Sequence, residues 1–137
     1  MYRKIGVSIA VLAAMALTVS IVAAGNAHFV GTPQISTSGE TATVTGKIAG
    51  LGNITQIDVV VTAQAECINR GNKNPNAENK QTVDGASREP VQNGKANFEV
   101  QVSANFQPDC SPPMRLEWTL ISIEVYDTFG NLLLTYP

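Results

Sequence analysis

The residues best able to do chemistry in this sequence are two cysteines, one histidine and a crowd of asparagines. The segment Cys67 to Gln81, CINRGNKNPNAENKQ, holds five asparagines in fifteen residues, Asn69, Asn72, Asn74, Asn76 and Asn79. Carboxamide side chains satisfy loop backbone locally, and they also hydrogen-bond neutral polar ligands such as sugars. An irregular segment of this length is long for a compact domain, which makes it the candidate ligand-binding loop. Its one carboxylate, Glu78, supplies a calcium cage poorly, and Arg70 with Lys73 is too little for a phosphate cradle.

His28 is the single histidine, which leaves no basis for a Ser-His-Asp triad, an HExxH helix or a His-rich zinc site. One metal reading survives: as the first residue of a processed chain, or the third after Asn26-Ala27, His28 and a free amine can hold copper. A glycosidase needs two carboxyl groups roughly 5 to 9.5 Å apart. Glu99 and Glu124 on outward strand positions, with Glu117 and Asp127 near strand ends, are the available acids, and solvated surface is the commoner role for such residues. No cofactor is implied. Sugar sites usually present exposed aromatic rings. Trp118 falls on an apolar parity and reads as core, whereas Phe106, Phe129 and Tyr136 lie in loops or at the terminus.

These residues sit in a chain with an export signature. MYRK precedes an uncharged apolar run from Ile5 to Ala24, and Gly25-Asn26-Ala27 fits a small-x-small cleavage pattern. Residues 1–27 are therefore expected to be a signal peptide and 28–137 a single domain. An uncleaved anchor is the alternative, because about 20 apolar residues can span a bilayer, and it is the only reading that brings in a membrane. Removing residues 1–27 takes away Arg3 and Lys4, leaves 110 residues and moves the formal net charge from −2 to −4. A mildly acidic chain without a Lys/Arg cluster argues against nucleic acid as partner. Cys67 and Cys110 both survive processing and would meet oxidising conditions, so they are expected to pair.

Apolar residues recur with period two and never with a sustained helical period. Thr41 to Ala49 places Ala42, Val44, Gly46 and Ile48 on one face and Thr41, Thr43 and Thr45, ordinary β-formers, on the other. Gln56 to Cys67 is the strongest strand, with Cys67 inward at its end. Thr82 to Val91 is weaker and is expected to break near Gly85 or Pro90. Asn93-Gly94 between extended runs is a hairpin signal, and Ala96, Phe98, Val100 and Val102 then face inward. Arg115 to Asp127 changes phase midway, which predicts a β-bulge near Leu120 or a strand covered on both faces. His28 to Ser36, interrupted by Pro33, reads as an edge strand. The expectation is an all-β fold, an antiparallel immunoglobulin-like β-sandwich of about seven or eight strands with one disulfide. If each strand crosses once, Ser38 to Glu40, Ile68 to Gln81 and Asn105 to Met114 share one end, which brings the two cysteines together.

AGLGNITQID, CINRGNKNPNAENKQTV and the later CSPP resemble a group of short exported, mostly bacterial proteins with AGLGN…ID and CxNxG…NPxAxNKQ segments. The likeness covers roughly residues 28 to 125, with Arg70-Gly71 standing where many of the group have Gly-Gly. It implies export and a compact fold and carries over no catalytic residue. The functional expectation is a non-catalytic binding or structural module at the cell surface or outside the cell, contacting a neutral glycan or a protein surface through the asparagine loop. The alternatives are a copper protein or enzyme using His28, and a self-associating subunit whose edge, His28 to Ser36 or Leu132 to Tyr136, pairs with another copy.

Overall fold

The structure, a computed structural model, describes residues 26–69 and 79–137. The expected leader up to Gly25, and Asn72, Asn74 and Asn76, lie outside the described residues. Eight strands follow in order: β1 His28–Phe29, β2 Gln34–Ser38, β3 Thr41–Ala49, β4 Gln56–Ile68, β5 Lys80–Pro90, β6 Ala96–Ser103, β7 Arg115–Tyr126 and β8 Leu132–Tyr136. They form two antiparallel sheets. In the first, β3 is central, with β6 on one side and β1 and β2 end to end on the other. The second runs β5-β4-β7-β8. Pro33, which has no ladder donor, is buried where the edge strand breaks between β1 and β2.

The alternation written in the sequence decides what lies between the sheets. Ala42, Val44 and Ile48 of β3, Ile57, Val59, Val61 and Ala63 of β4, Phe98, Val100 and Val102 of β6, and Ile123 and Val125 of β7 make one buried cluster. Each fully buried Val or Ile contributes roughly 1.5–3 kcal/mol, so these strands carry most of the fold's stability. The phase change in β7 is a bulge: Thr62 pairs with Ser122 and Ala63 with Leu120, which leaves Ile121 unpaired. The extra residue turns Ile121 outward, 43% exposed, and restores Ile123 and Val125 to the core.

Two elements differ from the sequence reading. β5 runs unbroken through Gly85 and begins at Lys80, because the β4 ladder continues through Val61↔Gly85 to Glu66↔Lys80. Gly85 marks a close approach instead of a break. A Cβ there would fall 2.5 Å from the Gln101 carbonyl oxygen and 2.8 Å from Val102 Cγ1, so the missing side chain lets the β5 edge of one sheet close against β6 of the other. The asparagine loop is correspondingly shorter than expected, since Ile68, Lys80 and Gln81 all belong to strands. The Asn93-Gly94 turn is as read, with φ of 55° and 74° closing the bridge between Gln92 and Lys95.

The β7–β8 turn is organised by one carboxylate. Asp127 Oδ1 accepts from the Phe129 and Asn131 backbone N–H groups, each at 2.9 Å, and Oδ2 accepts from Asn131 Nδ2 at 2.9 Å. These bonds, that from the Asn131 side chain foremost, hold the Asp127 carboxyl below its ordinary 3.8. On the outer face of the second sheet the Arg88 fork grips Asp58 at 2.8 and 3.1 Å and lowers its carboxyl likewise. Both groups bind protons more weakly folded than unfolded. Their contribution is thus complete above the unfolded pKa and is lost as pH falls through the lower folded one. The urea midpoint is expected to hold steady above about pH 5 and to fall below about pH 4, with a shallower fall in Asp127→Asn. An acid limb identical in Asp127→Asn would show that the turn contributes nothing to it.

Candidate functional site

The three loops assigned to one end meet there. Ala104 N–H donates to the Glu40 carbonyl at 2.8 Å, and the Trp118 indole reaches the Gly39 carbonyl at a long 3.4 Å. Cys67 and Cys110 are bonded, with Cα atoms 5.8 Å apart, and stand 43 positions apart in sequence. Beneath the bridge Ala65, Cys67, Ala104 and Phe106 form a second buried cluster, flanked by Cys110, Met114, Leu116 and Trp118. Cys67 Sγ lies 3.8 Å from Met114 Sδ. A disulfide sulfur has no proton to donate, so this is packing of polarizable atoms and not a hydrogen bond.

The second root of the asparagine loop is held by a pair of exposed hydrogen bonds. Gln81 Nε2 donates to the Asn105 carbonyl at 2.9 Å while Gln81 Oε1 accepts from the Asn105 N–H at 2.6 Å. One side-chain amide thereby mimics a strand partner for the start of the proline-rich loop. Loop 69–79 is thus clamped at both ends to loop 104–114, by a covalent bond at Cys67 and by a two-point amide contact at Gln81. Asn69 is exposed at one root and Asn79 half-buried at the other.

The aromatic candidates are not gathered at this end. Phe106 is 6% exposed, because it plugs the cluster under the disulfide and cannot offer a ring face. Phe129, 90% exposed, stands on the β7–β8 turn at the opposite end. Tyr136 packs edge-on against Phe29 at 5.6 Å. Trp118 is half-buried among core residues, as its parity implied. The acids are dispersed too. Glu99 points out from the first sheet and Glu124 from the second, on opposite outer faces of the sandwich. Glu117 takes Arg115 at 3.0 Å, and Asp127 is occupied with its turn. His28 Nδ1 donates to the Asn26 carbonyl at 2.7 Å, and among the described residues no three metal-binding side chains converge.

No family, no curated protein and no solved structure matches the chain. Its physical organisation therefore rests on the geometry above. The sequence reading also passed over a cleft at the opposite end, between the ends of β3, β5 and β6. Its two lysines lie far apart in sequence, so no local motif could have announced it.

Proposed function

We propose that this protein is an exported, non-catalytic binding module whose contact surface is the disulfide end of the sandwich. The observation that carries this reading is the double clamp. Loop 69–79 is fixed to loop 104–114 at both roots, so binding there forfeits less loop entropy than binding to a free segment would. A single domain with a paired disulfide is compatible with an oxidising, extracellular location. The strand orders support an immunoglobulin-like reading: β3 beside β6 and β4 beside β7, with β2 and β8 at the edges, correspond to the B–E and C–F pairs with A and G. The disulfide departs from that pattern, since it fastens one end instead of bridging the mid-core.

Among the described residues this end offers carboxamides and no exposed aromatic ring. That chemistry favours a protein surface over a stacked sugar, because rings facing solvent are the usual platform for sugars. The test is binding of the exported protein to a glycan array and to cell-surface proteins immobilised singly, with Asn72→Ala, Asn74→Ala and Gln81→Ala. At least tenfold weaker binding is expected when an asparagine is removed, and about threefold weaker when only the Gln81 clamp is released. No binding, or binding indifferent to all three changes, would sink the assignment.

One observation favours a second reading, a self-associating subunit. β8 pairs with β7 only from Ile123 to Tyr126, so Arg115 to Ser122 of β7 has a free edge among the described residues, as does β2. An open edge is a template for another strand. Concentration-dependent elution of the same protein, abolished by a proline at Thr119, would favour this reading over the first.

A further inference from the structure

Between the end of β5 and the start of β6 the chain passes from the second sheet to the first around a corner. A cleft of about 450 Å³ opens in it, within the range of small-molecule sites. Lys47 and Asn97, cross-strand partners on the outer side of the first sheet, form one wall. Glu89, half-buried on the inward parity of β5, forms another. Gln92 and Lys95 of the hairpin close the third, over Ala96 as floor.

The frame is rigid. Gln92 and Lys95 exchange backbone bonds of 2.9 and 3.0 Å, Leu51 N–H ties the hairpin to the β3–β4 loop through the Gly94 carbonyl at 2.9 Å, and Val91 N–H donates to the Thr55 carbonyl at 2.9 Å. Its charge is equally specific. From residue 28 onward the chain has seven basic residues, and two of them line this one cleft. The arginines among the described residues are engaged, Arg88 with Asp58 and Arg115 with Glu117, whereas neither Lys47 nor Lys95 makes an ion pair with a described residue. Two ammonium groups against the Glu89 carboxylate leave one positive charge, in a chain that is otherwise acidic.

We infer that this cleft binds a small hydroxylated carboxylate, of the size and chemistry of a single uronic acid. The two lysines hold the carboxylate as point charges, the Gln92 and Asn97 carboxamides donate to and accept from ring hydroxyls, and Glu89 accepts from a hydroxyl. Glu89, with Glu99 further along the same strand face as Asn97, disfavours a doubly charged phosphate, so the site selects for a monoanion. This inference does not depend on the binding surface proposed at the disulfide end.

The test is an NMR titration of the whole exported protein with galacturonate, with glucose as its uncharged counterpart and with inorganic phosphate. Shifts confined to residues 47 and 89–97 are expected, with a Kd of order millimolar and at least about tenfold weaker binding of glucose. Lys47→Gln and Lys95→Gln should each weaken galacturonate about fivefold to tenfold, Lys95→Arg should largely retain it, and Lys80→Gln at the other end should leave it unchanged. The dispersion of each variant's spectrum reports directly that it is folded. Equal binding of glucose, tighter binding of phosphate, or shifts spread over every lysine would each overturn the assignment.

Discussion

Replacing both bridge cysteines, Cys67→Ala with Cys110→Ala, is expected to cost roughly 4 kcal/mol of stability and to lower Tm by about 15 °C. The bridge joins residues 43 positions apart, and closing a loop of that size in the unfolded chain is what produces a figure of this magnitude. The whole net stability of a domain is only about 5–15 kcal/mol, so the variant should sit close to its folding limit at 37 °C. The loss should also be uneven. Hydrogen exchange is expected to accelerate at 104–114 and at the β4 end, where Phe106 and Met114 pack around the sulfurs, while β3 and β6 keep their protection. A loss under about 1 kcal/mol would mean that the Gln81–Asn105 contact and Phe106 hold this end without the bridge.

Phe98→Ala is expected to cost about 3–5 kcal/mol, the usual penalty for emptying a buried aromatic site. Phe98 is 3% exposed. It meets Phe29 edge-on at 6.2 Å, and Phe29 in turn meets Tyr136 at 5.6 Å, so one ring couples the first sheet to β8 of the second. It also lies over the strand backbone, since a Cβ on Gly46 would fall 2.5 Å from Phe98 Cζ. Urea unfolding measures the loss, with Phe129→Ala as comparison. That ring is 90% exposed, and its removal should change stability by less than about 0.5 kcal/mol. In the Phe98→Ala background Gly46→Ala should lose its own penalty, a coupling that a double-mutant cycle reads.

The parts of the fold that could be read from the sequence are those where one periodicity meets one constraint. Alternating residues fixed the inward face of β3, β4 and β6, because a strand exposes its faces by turns and a slip of one residue would bury every polar group. The phase change between Leu120 and Ile123 announced the bulge for the same reason. Parity also brings Cys67 and Cys110 to one end, as their bond requires. What could not be read depends on contacts between segments distant in sequence. Gly85 looked like a strand breaker because its need, the approach of β6, lies on another sheet. Phe106 in a proline-rich loop gave no sign that it plugs the space beneath the disulfide. Gln81 read as the end of a loop, yet its amide completes the clamp on Asn105. The lysine cleft arises from a corner where the chain changes sheets, and Lys47 and Lys95 are neighbours only through the pairing of β3 with β6.

We propose an exported chain in which the Cys67–Cys110 bridge fastens two loops at one end. Intact mass of the protein recovered from the extracellular medium, before and after reduction, tests this most directly. The predicted result is a chain beginning at His28 that gains two hydrogens on reduction, which then opens loop 104–114 to exchange. A full-length chain retained inside the cell, with both thiols free and no mass change on reduction, would contradict it.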